Sequence, residues 1–239
     1  PNHNIKSRVS HVSTALLCTP EGIERVQQAI RTAGLDGWLL YEFHGLNPIA
    51  VQLLGLGKTT RRAFILIPAE GEPVAMIHAI EASSWRHWPF AFRKYSGWKD
   101  MEDQLAELVG DHGRLAMEVS PGAAVPTLDY VPGGVVGLLL GMGVEATSSG
   151  DLVSRFHSVW TTEQRERHRE ASEIVAEIAR RAFERAAEAI KAGAPTNEGA
   201  LTKWITTELK ASGLVMRPSC IVAIGQRAAD SHYAPIGAG

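Results

Sequence analysis

The chain has 239 residues, of which 45% are hydrophobic and 21% charged, the composition of a globular protein with one large or two small domains. Its formal net charge of -2 supplies no global field to recruit nucleic acid or an anionic membrane surface. Cys18 and Cys220 stand far apart without CxxC spacing, so neither a disulfide framework nor a zinc knuckle is indicated, and a reducing, cytoplasmic setting is the expectation.

Two regimes follow in chain order. Thr19-Pro20-Glu21 combines a hydroxyl cap, a proline in the first turn and an acid, and Ile23, Val26, Ile30 and Ala33 then recur at helical spacing up to Gly34. Trp38 to Tyr41 reads as a buried strand. Ala63 to Ile67 and Val74 to Ile77 read as two more, with AEGE between them as a hairpin turn. Asp100 to Val109 is expected to be helical, Arg114 to Glu118 extended, Pro126 to Gly141 helical, Val144 to Thr147 extended and Asp151 to Phe156 helical. Strands alternating with helices imply an α/β layer structure with a mostly parallel, mixed sheet covered by helices.

The second regime starts at Trp160, where Thr161 and Gln164 have the spacing of a capping box. Behind it, Ala171, Ile174, Val175, Ile178, Ala179, Ala182, Phe183, Ala186 and Ile190 share one helical face until Gly193 and Pro195. Thr196 is read as the cap of another helix, striped by Leu201, Trp204, Ile205 and Leu209 and ended by Gly213. A strand from Ser219 to Ile224 is expected next. The division is placed at residues 1–159 and 160–239.

Several motifs do not survive a check of their mechanics. Val131 to Val144 is apolar but far shorter than the roughly 20 residues of a membrane span, and its glycines at 133, 137 and 141 read as a small-residue helix face packed on a sheet. Gly57-Lys58-Thr59 resembles the end of a P-loop, yet Gln52 stands where that loop needs glycine, so a plain connection is expected. Glutamates and arginines from Glu163 to Lys191 alternate at three and four residues, the pattern of a solvated helix face. The nine histidines show no paired metal-ligand spacing. Trp85, His87 and Trp88 read as an aromatic helix end packed at a domain or subunit interface, with a binding surface as the other option.

The order of these elements, with W-x3-Q at Trp160 to Gln164 and the run PSCIVAIGQRAADSHYAP, resembles the creatinase and prolidase branch of the pita-bread metallopeptidases, the Xaa-Pro dipeptidases and aminopeptidases. Before Trp160 the match is loose: the family's Asn-Ile-x-Tyr-Leu-Thr-Gly segment survives only as Asn47-Pro48-Ile49 with Leu54-Gly55. The resemblance implies a creatinase-like N-terminal domain over 1–159, then the first two helices and first strand of an α+β pita-bread domain over 160–239. It implies that His232 lines the substrate pocket and hydrogen-bonds the substrate carbonyl or tetrahedral oxygen. On the residues alone, a lone histidine without an identifiable partner reads as structural or exposed.

The family's two divalent cations (Mn, Co or Zn) are held by an Asp, Asp, His, Glu, Glu set that follows this histidine, and the chain ends seven residues after His232. The resemblance therefore implies a parent Xaa-Pro peptidase acting on small peptides, with this chain lacking the ligand set and inactive. A metal-free creatinase-like hydrolase, with His232 as general acid and base, and a non-catalytic dimerisation module remain the alternatives. The family also implies a homodimer through the N-terminal domain. The opening at Pro1 without a leader, and the close after one strand, are expected to be boundaries within a longer protein, with an uncovered strand edge and apolar helix face as the consequence.

Overall fold

A computed structural model describes residues 15–216 and 220–234. These divide into two compact units, one ending at Val159 and the other beginning at Trp160.

The first unit is built on a six-stranded mixed sheet. Its strands are β1 (Gly37–Glu42), β2 (Ala63–Pro68), β3 (Val74–His78), β4 (Ala91–Tyr95), β5 (Arg114–Met117) and β6 (Glu145–Ser148), in the order β4-β3-β2-β1-β5-β6. β1, β2 and β3 are antiparallel neighbours, while β4 joins β3, and β5 and β6 join β1, in parallel. The turn between β2 and β3 falls on the AEGE segment, with Gly71 at φ 99°, where a side chain would be strained.

Helices cover both faces, which explains why β1 and β2 are buried along their whole length rather than alternately. Successive side chains still point to opposite sides. Trp38 and Leu40 of β1 pack with Ile65, Ile67 and Ile77 beneath α1 (Pro20–Thr32), α2 (Pro48–Leu54) and α5 (Gly150–Phe156). Leu39 and Tyr41 pack with Phe64, Leu66 and Met76 beneath α3 (Trp98–Val109) and α4 (Gly133–Gly141). α1 starts as its sequence dictates: Thr19 Oγ1 accepts the Gly22 amide at 3.0 Å and Pro20 occupies the first turn.

Three expectations for this unit change. Pro126 to Gly141 is not one helix. It is a 3-10 turn at Pro126–Leu128 followed by α4, because Pro132 can open a helix but not sit inside one. The glycines of α4 do not pack on the sheet; Gly133, Gly137 and Gly141 are exposed, and Val135, Val136, Leu138 and Leu139 make the contact. Trp85 and Trp88 lie in the core of the first unit rather than at an interface. They stack edge to face at 6.2 Å, and the His87 Nε2 lies 2.9 Å from the Leu54 carbonyl oxygen. Burial pushes the Cys18 thiol up to about 11, and its Sγ donates weakly to the Leu54 oxygen.

The second unit consists of α6 (Thr162–Lys191), α7 (Glu198–Ala211) and the segment after them. The capping box forms in full: Gln164 N donates to Thr161 Oγ1 at 3.1 Å and Thr161 N to Gln164 Oε1 at 2.7 Å. Asn197, not Thr196, caps α7, accepting the Ala200 amide at 2.8 Å. The expected strand from Ser219 to Ile224 is absent over residues 220–224, which are extended or irregular without a ladder, and Ser219 lies outside the described residues. A strand needs a hydrogen-bonded neighbour, and none faces this segment among the described residues. Of the nine apolar positions on the α6 face, only Ile178 and Ala182 are buried. The charged face is solvated and laced with intrahelical pairs: Glu163 with Arg167, Glu166 with Arg169, and Arg180 with both Glu177 and Glu184. No helix among the described residues is long and apolar enough to cross a membrane.

Candidate functional site

His232 sits on an exposed turn at the end of the described chain. Its backbone amide donates to Asp230 Oδ1 at 2.9 Å, an Asx turn that fixes the bend and leaves the imidazole facing solvent. Ser231 is exposed beside it.

The turn is held through its neighbours. Glu198, the first residue of α7, is almost wholly covered. Its carboxylate accepts the Ile224 amide at 2.6 Å, Arg227 Nη1 at 2.7 Å and the Tyr233 hydroxyl at 2.6 Å. The Arg227 guanidinium also lies 5.7 Å from the Tyr233 ring centre. Three charge-assisted or strong donors on one carboxylate make a clamp between a helix N-terminus and the segment 224–233. The Tyr233 hydroxyl bond, then the Arg227 and Ile224 donors, hold the Glu198 carboxyl below the usual carboxylate range, against partial desolvation. The same bond pushes the Tyr233 hydroxyl upward. No spacing in the sequence connects Glu198 or Arg227 with the histidine. The 35-residue separation between Glu198 and Tyr233 leaves no local signal.

Beside the clamp, α6, α7 and residues 220–223 line an apolar groove of about 360 Å³ that includes Ile178, Phe183, Leu201, Ile205 and Val222. Phe183 is 79% exposed at its mouth.

The first unit holds a second polar centre, at the C-terminal ends of the parallel neighbours β1 and β5. Glu118 is fully buried and accepts Trp38 Nε1 at 2.7 Å, Asn47 Nδ2 at 2.8 Å and Ser149 Oγ at 3.0 Å. Glu42, also fully buried, accepts the Gly45 amide, the Asn47 amide at 3.1 Å and Thr59 Oγ1 at 3.0 Å. Asn47 joins the two and caps α2 through its Oδ1, to the Ile49 and Ala50 amides. Burial pushes the Glu118 carboxyl upward, opposed by its three donors. Every polar side chain in this centre is satisfied from within the fold, so it reads as the anchor of the loop Phe43–Leu46, whose His44 takes φ 59°. Gly57 and Lys58 lie in a plain connection, and Thr59 serves this anchor rather than a phosphate.

No group of three or more His, Cys, Asp or Glu side chains able to hold a metal ion occurs among the described residues. Asp230 approaches His232 only through the backbone. The described residues do not fit a two-metal centre, and no chemical step through a metal follows from them.

No family model and no curated protein matches the chain. Among solved structures the chain is similar to dipeptidase PepE from Mycobacterium ulcerans, with TM-score 0.63 and 18% identity over 94% of this chain and 57% of that one. It is also similar to a prolidase from Thermococcus sibiricus, with TM-score 0.55 and 16% identity over 90% of this chain and 56% of that one. At such identities the likeness is one of fold. The chain spans little more than half the length of these structures.

Proposed function

We propose that the chain belongs to the creatinase and prolidase branch, and that it carries the N-terminal domain and the opening helices of the catalytic domain of a hydrolase that cleaves the peptide bond before proline. The observation that carries this reading is the fold likeness to a dipeptidase across 94% of the chain, combined with a histidine turn fastened to a helix start at the end of the described residues.

In this reading His232 donates a hydrogen bond to the carbonyl oxygen of a small peptide as negative charge grows there, an electrostatic role that needs a fixed imidazole position. Glu198 acts at one remove, as a positioning residue, by holding the two ends of the segment that presents the turn. The two divalent ions the reading requires would be held by residues other than those described, so this chain alone is expected to be inactive. The uncovered groove beside Phe183 supports the same reading, since an apolar face of this kind is where further parts of a domain would pack. We also propose a cytoplasmic homodimer paired through the first unit, whose outer strand β4 presents an exposed edge.

The test is hydrolysis of an Ala-Pro dipeptide in the presence of Mn²⁺. The 239-residue chain is expected to show none, and a longer chain that continues past Gly239 is expected to turn it over and to lose kcat in His232→Ala. Turnover by the 239 residues themselves would refute the inactive assignment. A longer chain without Xaa-Pro activity would refute the peptidase and favour the metal-free alternative. Light scattering of the chain reports the dimer, and a strict monomer removes that part.

A further inference from the structure

A cleft on the first unit, on the face opposite the Glu42 and Glu118 centre, combines features that none of the preceding chemistry uses. It has a volume of about 520 Å³ between the edge of β1 and β2 and the helices α3 and α4. Tyr41, Phe64, Met101, Val135 and Leu138 form an apolar floor and side wall. A second cleft of about 260 Å³ adjoins it, sharing Phe43, Arg62, Trp98 and Met101.

Arg62 stands where the two clefts meet. Its guanidinium lies 4.9 Å from the Trp98 ring centre and 5.9 Å from that of Phe43, so aromatic rings flank the cation. A planar guanidinium held between rings keeps several N–H donors along its edge, more than one neighbouring hydroxyl can take up. Among the described residues the Arg62 side chain makes no salt bridge, and the Tyr41 hydroxyl in the same cleft is its polar neighbour; Arg61, by contrast, turns back onto Thr60. The residue is half-buried, which rules out a freely solvated side chain. Its backbone is also held, since Tyr95 Oη donates to the Arg62 carbonyl at 2.8 Å.

A cation serving only as a lid over aromatic rings would need no cavity beside it. Here the cavity is of small-ligand size, mostly apolar, and has one convergent charged group at its rim, the arrangement that binds a small molecule in a fixed orientation. Charge complementarity then selects the ligand. A planar guanidinium pairs best with a planar oxyanion through two parallel hydrogen bonds, and the apolar floor takes a body the size of an amino-acid side chain.

We propose that this cleft binds a carboxylate carried on an apolar group, with Arg62 gripping the carboxylate and Phe64, Met101, Val135 and Leu138 enclosing the apolar body. The site lies wholly within the first unit and is independent of His232 and of any peptidase activity.

Calorimetric titration of the 239-residue chain with 3-phenylpropanoate tests it, with 3-phenylpropanamide as the neutral counterpart. Acetyl-Ala-Ala-Phe and its C-terminal amide form a second pair, and the tighter of the two acids tells a free acid from a peptide C-terminus as the source. Each acid is expected to bind at least about tenfold more tightly than its amide, the difference a charge-assisted pair supplies. Arg62→Gln should remove that preference while leaving the thermal midpoint within a few degrees. Val135→Phe should weaken 3-phenylpropanoate by filling the floor and leave Arg62 in place, which keeps the test open should Arg62→Gln fold poorly. Equal binding of acid and amide overturns the proposal, as does absence of binding or acid binding that both substitutions leave unchanged.

Discussion

The two units spend similar apolar sequence patterns in opposite ways. In the first, the 13 residues of α1 bury Ile23, Val26, Ala29 and Ile30 against a sheet whose other face is covered as well. In the second, the 30 residues of α6 bury only Ile178 and Ala182, and Phe183 on the same stripe is 79% exposed. A helical stripe at the right period states that a face is suited to burial. It does not say which surface buries it, because the partner is specified by residues elsewhere.

The sharpest way to strain this comparison is to hollow the covered unit. Trp38 is fully buried and its indole donates to Glu118, so Trp38→Ala is expected to cost about 3–5 kcal/mol, read as a lower denaturant midpoint for the first unit with the helical signal of α6 and α7 retained. Simultaneous loss of both signals would mean that the units are one cooperative body.

Next in size is a pH effect confined to the first unit. Folded Glu118 binds its proton more tightly than the unfolded chain does, since burial raises its pKa. Stability therefore falls as pH rises from the ordinary carboxyl range through the raised folded value. Glu118→Gln is expected to remove that decline, measured as thermal midpoint against pH; an unchanged slope would assign it to other groups.

Smaller still is a gain on the covering helix. An added Cβ at Gly137 meets nothing within 4 Å, and the residue is exposed in mid-helix, so Gly137→Ala should stabilise the first unit by about 0.8–1.0 kcal/mol in urea unfolding. The least effect is expected on the uncovered unit. Phe183→Ala should change the stability of this chain by no more than about 0.5 kcal/mol, as for other exposed positions. A loss of several kcal/mol would show that something already covers Phe183 in solution.

Much of the first unit was legible from local pattern. Thr19 and Pro20 announce α1, the AEGE turn joins two strands, and the apolar runs at Trp38 and Ala63 become central strands. β4 was missed because Ala91–Tyr95 is an edge strand, mostly exposed, with two basic residues and no apolar run. α2 was missed because seven residues carry too little periodicity, although Asn47-Pro48 marks its start. The site was less legible. His232 stood out by resemblance, but the clamp at Glu198 and the Arg62 cleft join residues dozens of positions apart.

Residue by residue, the chain itself determined where helices start and stop and which segments are apolar enough to be central strands, since caps, turns and side-chain periodicity act over a few neighbours. Tertiary structure alone decided that Glu118 and Glu42 meet at Asn47, that the α4 glycines face outward, and that residues 220–224 remain without a ladder. Those outcomes depend on which surfaces come together across long stretches of chain. A lone strand or a lone carboxylate carries no local record of its partner.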